Sequence, residues 1–415
     1  MYDVAIIGAG ASGLMCASYL AYLQRKGDIP SNIKTVVIER NPKPGKKLLL
    51  TGSGRCNLTN LNASYSDYNT DSKEVLHNIL DGFTPDDLLL FAHEELGIDT
   101  VSKESLVYPV TYRSATVLDA LRFYLDDNKT ELITGQKVLE IERESNTYRL
   151  GLDSGVMIEA GFVVIAAGGM SYPKTGSDGN GFYLFTGNKA ASLIRPIPAL
   201  VPLITSDKDI KSLSGTSVTA KITVHTEKEA FSEEGTLLFT DYGISGICVM
   251  ILSGLCIASA QNNGKFPRIT IDLLSQYDQE EAAIQVINRI RKFPDRRAVD
   301  ALSGLVRSNI LIVIFKRAKV NTDILCRDLK EASIRKLIDL LTAFPVSVSG
   351  NTGFDNSQVT RGGLSLGDLG EELCDPNGIY YCGEIVNVDG PCGGYNLQWA
   401  WASAVRVALS IGKKL

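Results

Sequence analysis

The opening of the chain constrains its fold more than any other stretch. An apolar strand pattern over Tyr2–Ile7 runs directly into GAGASG at 8–13, and Leu14–Leu23 continues as an apolar helical run. The chain then returns through a second short strand, Val36–Ile38, which ends on Glu39. Each piece suits an adenine dinucleotide. Gly8 permits a tight turn, Gly10 lets the backbone approach a pyrophosphate at the helix N-terminus, and Gly13 lets helix and strand pack closely. Glu39 is placed to hydrogen-bond ribose hydroxyls. It follows Gly13 by 26 residues, more than the usual spacing, and the polar segment Arg25–Asn32 accounts for the excess. G-x-G-x-x-G alone is weak; strand, helix and carboxylate in this order make it specific for a dinucleotide without saying which one.

At 415 residues the chain is expected to form two or three domains. Its net charge of −5 and the lack of a basic run argue against general nucleic-acid binding. The core strand begins almost at once and carries Asp3, so no secretory leader is expected. Apolar runs such as Ile310–Phe315 are too short to span a bilayer. Eight cysteines without C-x-x-C pairs and only three histidines fit reduced thiols and give no metal site. The expectation is a cytoplasmic protein with no membrane partner, its oligomeric state left open.

After Glu39 comes a basic, glycine-rich loop, RNPKPGKKLLLTGSGRCN at 40–57. Lys46, Lys47 and Arg55 can offset pyrophosphate charge, while Gly52 and Gly54 allow close approach to a flat ring. Residues 75–125 read as helices, and Gln136–Glu142, Tyr148–Asp153 and Val156–Glu159 as strands. Phe162–Gly169 reads as a buried strand ending in the small residues Ala167, Gly168 and Gly169, which let a cofactor crowd the sheet edge. A second glycine-rich loop, 171–181, precedes an expected helix over Phe182–Ala190.

Prolines 196, 198 and 202 mark a change of texture, followed by strands such as Val218–Thr226 and charged amphipathic helices over Glu280–Val306 and Asp323–Leu341. The expected domains are 1–190, an inserted 191–346 with a helical part near 275–330, and a returning 347–415. The returning part carries a strand into Gly383-Glu384, and the glycine-rich 388–396 opens a final helix, Leu397–Leu409. Free N–H groups and the positive dipole end there suit the negative N1/C2-carbonyl edge of a reduced flavin.

The strings GAGASG, GKKLLLTGSGRCNLTN, VVIAAGG, LFTDYGISG, VTRGG and CGEIVNVDGPCGGYNLQWAWAS resemble the YhiN-like flavoproteins across essentially the whole chain. That family includes NAD(P)/FAD-dependent oxidoreductases, aminoacetone-oxidase-like proteins and BaiN-type 3-dehydro-bile-acid Δ4,6-reductases. The resemblance implies an α/β fold: a glutathione-reductase-like FAD-binding Rossmann domain formed by both chain ends, with an inserted β-barrel domain carrying a helical subdomain. FAD would contact the turn Gly8–Gly13, including Ala11 and Ser12, and Glu39 through the ribose. It would also contact the following loop: Arg40, Lys46, Lys47, Leu48, Gly52, Ser53, Gly54, Arg55, Cys56 and Asn57. Val138 would meet the adenine through its backbone, Gly383 and Glu384 would lie at the ribitol, and Gly394, Tyr395, Asn396 and Leu397 at the isoalloxazine. Asp241 and Ile247 stand where many members have His and Pro, so no histidine role carries over there.

The implied chemistry is hydride transfer between a small organic substrate and flavin N5, with Arg361, Tyr395 and Asn396 as candidates for orientation or proton handling. No second fingerprint follows a strand, so NAD(P)H is expected only as a transient electron donor in the reduction of an activated C=C bond. The alternatives are an amine or aminoketone oxidase using O2 and, from another class, a flavin-dependent RNA-modifying or RNA-binding protein. Cys56 and Cys392 read as packing residues beside a ring sooner than as a redox dithiol, and His77, His93 and His225 as structural or surface residues.

Overall fold

The computed structural model describes residues 1–184 and 191–415. Met1–Pro198 with Ser357–Leu415 form one compact unit, and Ala199–Asn356 form the other. The first division falls within the stretch marked by prolines 196, 198 and 202, and both fall about ten residues later than the expected bounds at 190 and 346.

The first unit is built on a seven-stranded sheet. Its order is Glu131–Thr134, Thr35–Glu39, Tyr2–Ile7, Met157–Ile165, Thr147–Leu152, Val138–Glu144, and Ile379–Tyr381 also pairs with Met157–Ile165. The parallel strands are buried on both faces, which is why Val4–Ile6, Val36–Ile38 and Val163–Ile165 read as continuous apolar runs. Register then decides where function can sit. Ile7 lies beside Ile38 and Ile165, Ile38 beside Ile133, and Ile165 beside Tyr381. Gly8, Glu39, Thr134, Ala166 and Cys382 therefore lie at one level, the carboxyl edge of the sheet, where open α/β sheets bind ligands. Two chain ends meet at that edge.

Met157–Ile165 corrects the sequence reading, which splits it in two. It is one strand whose first half pairs antiparallel with Thr147–Leu152 and whose second half pairs parallel with Ile379–Tyr381. Gly161 lies in its middle, where a Cβ would press on the Asp3 carbonyl, and this small residue gives the run its broken look. The helix Ala11–Lys26 packs against the C-terminal helix Tyr395–Gly412. Buried Trp399 and Trp401 anchor the latter by donating to the Gly383 and Leu58 carbonyls at 3.0 and 2.9 Å. Phe182 and Tyr183 lie in a 3-10 turn, Asn180–Tyr183; the rest of the helix expected there falls mostly at 185–190, outside the described residues.

The second unit has a seven-stranded sheet ordered Phe344–Val346, Arg268–Asp272, Ser217–His225, Ala230–Phe239, Gly243–Ser245, Leu203–Thr205, Val348–Asn351. The helix expected over Glu280–Val306 is two helices, Gln279–Lys292 and Ala298–Leu302, because Pro294 interrupts the ladder between them. Asp323–Leu341 likewise reduces to a 3-10 turn, Cys326–Asp328, and a helix, Glu331–Thr342. Ile310–Phe315, read from sequence only as an apolar run, lies in the helix Ser308–Ala318, most of whose apolar residues are buried.

Candidate functional site

The three fingerprint glycines have different jobs. Gly8 adopts φ +101°, and a Cβ there would lie 2.6 Å from the Ala166 carbonyl oxygen. A Cβ on Gly13 would lie 1.9 Å from the Gly8 carbonyl oxygen, so this glycine lets helix and turn touch. A Cβ on Gly10 would meet nothing within 4 Å. Gly10 heads the helix Ala11–Lys26 without a side-chain cap, and no acid occupies the first turn. Open space in front of uncapped N–H groups at a helix N-terminus suits a pyrophosphate.

Glu39 is buried and joins the second strand to this turn. Its Oε2 accepts from the Ala9 N–H at 2.9 Å, and its Oε1 accepts from the Asn41 backbone and side-chain amides at 2.8 and 2.6 Å. Lys46 donates to Asn41 Oδ1 at 2.8 Å. The Gln136 N–H donates to the Glu39 carbonyl at 3.1 Å, which brings the start of Val138–Glu144 beside the carboxylate. Arg40 turns away to pair with Asp178 at 2.6 Å in the second glycine-rich loop.

A second cluster joins segments that sequence leaves far apart. Glu384 Oε2 accepts from Lys47 Nζ at 2.5 Å, while Oε1 accepts from Ser171 Oγ at 2.5 Å and the Thr360 N–H at 3.0 Å. Lys47 also donates to Ser171 Oγ. Gly169 is required here, since a Cβ would sit 2.5 Å from Thr360 Oγ1. Ala167 lines Gly8, and Gly168 faces Ser177 Oγ. Ser12 Oγ donates to the Cys382 carbonyl at 3.4 Å, beside Gly383.

The third cluster surrounds the start of the C-terminal helix. Gly52 and Ser53 both take left-handed conformations, and Cys56 follows at φ +57°, so the loop 51–57 stores backbone strain at two non-glycine positions. Only glycine fits at 394, because a Cβ there would strike the Thr59 backbone, and Asn60 donates to the Gly393 carbonyl at 3.0 Å. The Asn396 amide accepts from the Gly390 N–H at 2.9 Å and donates to the Gly390 and Pro391 carbonyls at 2.8 and 3.2 Å. It thereby holds the 390–394 loop. Tyr395 meets Tyr68 edge-on at 5.9 Å, and Tyr68 donates to the Tyr395 carbonyl at 2.9 Å. Leu397 is half-buried next to it, and Leu48 is fully buried.

Arg361 points both Nε and Nη2 at Asp389 Oδ2, at 3.1 and 3.0 Å, and Asn69 Nδ2 donates to the same oxygen at 3.2 Å. Burial pushes the Asp389 carboxyl above its ordinary value, against the pull of Arg361 and Asn69. Sequence reasoning missed Asp389, Ser171 and Thr360. Only Asp389 left a trace, as an acid amid the apolar and glycine residues of VNVDGPCGG. Burial lifts the Cys56 thiol to about 12 and that of Cys392 to about 11, so both stay protonated near neutrality. His77 stacks on Tyr65 at 4.4 Å, His93 pairs with Asp99 on the surface, and His225 meets Thr270 in the second unit.

The room and unpaired polar groups along this edge fit an FAD molecule. Open space fronts Gly10, and Asn57 Oδ1, Ser177 Oγ and Gln136 Oε1 are buried without hydrogen-bond partners in the three surrounding loops. Comparison with known proteins agrees. The family model described as HI0933-like protein Rossmann domain matches residues 2–410. The chain belongs to this HI0933-like Rossmann family. It is an FAD-dependent oxidoreductase with an FAD-binding Rossmann fold.

Within the family, the chain is 30% identical to a 3-dehydro-bile acid delta(4,6)-reductase of Clostridium scindens, over 97% of both chains. It is 27% identical to a ribosomal RNA dihydrouridine synthase of Haemophilus influenzae, over 99% of this chain and 98% of that one. A flavocytochrome c3 fumarate reductase in its open conformation overlays at a TM-score of 0.43 with 12% identity, covering 99% of this chain and 78% of that one. Among the described residues no helix is long and apolar enough to cross a membrane, and no His/Cys/Asp/Glu group could hold a metal ion.

Proposed function

We propose that this HI0933-like protein reduces a carbon–carbon double bond conjugated to a carbonyl in a small organic substrate, with NAD(P)H as transient electron donor. The observation that carries it is the Arg361–Asp389 pair: a guanidinium fixed through Nε and Nη2 by a buried carboxylate, beside the 390–394 loop. Its Nη1 does not bond to Asp389 and is available to polarise a substrate carbonyl oxygen. Bound FAD would supply two-electron chemistry, taking hydride from a nicotinamide and delivering it to carbon. It would be held by the Gly8–Gly13 turn, Glu39, Lys47 and Glu384. Burial, reinforced by the Asp67 charge, raises the Tyr395 phenol above its ordinary value, so it remains a proton donor at neutral pH. Tyr395 is the residue assigned to protonate the second carbon. Asn396 positions the loop between these two groups. The full-length likeness to a reductase supports the same chemistry.

One alternative has an observation behind it. The uracil C5=C6 bond is itself conjugated to a carbonyl, and the relative named as a ribosomal RNA dihydrouridine synthase matches over nearly the whole chain. Reduction of a uridine in RNA therefore uses the same residues on a different substrate, and stands against the net charge of −5.

Anaerobic stopped-flow mixing tests both. NADH or NADPH should bleach the flavin absorbance, and a conjugated enone should restore it while an isolated alkene does not. Restoration by uridine-containing RNA alone selects the second substrate. Absence of bleaching by either nicotinamide overturns the reductase, and peroxide formed from an amine would replace it with an oxidase.

A further inference from the structure

A short strap, residues 64–71, lies along the carboxyl-terminal loops. Of residues 64–69 only Tyr68 is buried and the other five are exposed, so the strap has almost no core of its own. Its second half nevertheless follows 387–390 residue by residue. Asp71 Oδ1 accepts from Asn387 Nδ2 at 2.7 Å, and Thr70 and Asn69 pair antiparallel with Val388 and Asp389. Asn69 Nδ2 donates to Asp389 Oδ2 at 3.2 Å. The Tyr68 ring lies against Gly390, where a Cβ would come within 3.0 Å of it, and Tyr68 Oη donates to the Tyr395 carbonyl at 2.9 Å. Burial pushes the Tyr68 phenol far above its ordinary value, so it keeps the proton it donates there.

The helix Lys73–Asp81 holds the strap from the other side. Lys73 Nζ donates to the Tyr65 and Ser66 carbonyls, each at 3.1 Å, and to the Tyr68 carbonyl. An ammonium has three N–H donors, and all three are spent here on backbone. Carbonyl dipoles aimed at one point repel each other, so the cation between them is what keeps the turn in this shape. One helical turn further on, His77 stacks on Tyr65 at 4.4 Å and 11°. The helix itself gains little from Lys73. A cation in the first turn faces the positive end of the helix dipole, and Ser72 before it makes no side-chain cap. The lysine serves the strap.

We propose that Lys73 is a positioning residue, which clamps the turn 65–68 and so fixes Tyr395 and the Arg361–Asp389 pair relative to each other. These groups come from separate segments, the strand Val359–Leu364, the pair Val388–Asp389 and the start of the C-terminal helix. The strap reaches Tyr395 through Tyr68 and the ion pair through Asn69, so one turn sets both. Precision matters there, because misplacing a reacting group by about 1 Å can cost about a hundredfold in rate. The chemical roles of Tyr395 and Arg361 rest on the proposed reduction, whereas the clamp rests on its own hydrogen bonds.

Lys73→Met keeps the stem and removes the ammonium, and Lys73→Arg keeps a cation with several donors. In the FAD-loaded protein, Lys73→Met should lower kcat for enone reduction about tenfold while KM stays within about twofold. Flavin bleaching by NAD(P)H should keep its wild-type rate. Lys73→Arg should return kcat to within about threefold of wild type. Hydrogen exchange followed by mass spectrometry needs no turnover. Lys73→Met should exchange about tenfold faster over 65–71 and 387–396, and at the wild-type rate over 8–26. The flavin spectrum and melting temperature show that fold and cofactor are kept. Wild-type kcat in Lys73→Met, a loss that Lys73→Arg shares in full, or unchanged exchange over 387–396 overturns the clamp. If wild type reduces no enone, the reductase assignment fails, and the exchange rates still decide whether Lys73 fixes these loops.

Discussion

The fingerprint edge and the carboxyl-terminal loops lie in the same unit but are built by different means. At the fingerprint, backbone does the work: glycines that fit against carbonyls, and a carboxylate that accepts from nearby amides. At the carboxyl-terminal loops, side chains bind partners across the chain, as when Lys47 and Glu384 pair across 337 positions. The first design depends on a few glycines and one carboxylate. The second depends on pairs that must be kept together.

The largest effect expected from this contrast is at Gly13. Its Cβ would fall 1.9 Å from the Gly8 carbonyl oxygen, a backbone atom that cannot step aside, so Gly13→Ala should cost about 3 kcal/mol or more. Gly10→Val should do the opposite, folding with a normal melting temperature but purifying without flavin colour, because its side chain enters space left for the ligand. Absorbance near the flavin band together with thermal melting checks the pair. Yellow Gly10→Val protein would remove the pyrophosphate from that space.

At the other end, Asp389→Ala leaves the Arg361 guanidinium without its buried counter-charge, and the loss should be about 3 kcal/mol, the low end for a broken buried pair because Arg361 keeps some solvent. Asp389→Asn retains the shape and an acceptor. It should fold, be bleached by NAD(P)H at the wild-type rate, and lose about tenfold or more in enone reduction. Equal losses in both half-reactions would show that Asp389 acts on flavin binding and not through Arg361.

The same contrast explains what could be read in advance. The fold class and the paired chain ends were legible because strand runs, fingerprint and Glu39 depend on local pattern. Gly161 hid one continuous strand, and Pro294 hid a break in a charged helical pattern, since periodicity is blind to both. Gly383 and Glu384 follow Ile379–Tyr381 to the carboxyl edge because register carries them there, whereas the segment leading to Val138 is tied to Glu39 by the Gln136 hydrogen bond. Asn396 was legible as a residue but not as a role. Its amide turns back on Gly390 and Pro391, a choice made by the loop's conformation and invisible in spacing. Arg40 and Arg55 look like phosphate ligands in sequence, yet one pairs with Asp178 and the other covers Tyr108, because each partner lies on a segment remote in the chain.

Asp71 gives the smallest effect and refines the contrast, because it is a long-range tie of the second kind placed at the surface. Its carboxylate accepts from Ser365 Oγ at 2.7 Å, from the Gly367 and Leu366 N–H groups at 2.9 and 3.1 Å, and from Asn387 at 2.7 Å. Burial pushes its carboxyl up, but these four donors outweigh it and hold the group below its ordinary value. A folded-state value below the unfolded one, about 3.9, means that the stabilisation is fully present above that pH. It is lost as pH falls through the lower folded value. Wild type should therefore unfold more steeply with acid below about pH 4 than Asp71→Asn, while near neutrality the variant should melt slightly lower. Parallel acid-unfolding curves for the two proteins would show that these donors do not favour the ionised carboxylate, and that long-range ties at this end matter only where solvent is excluded.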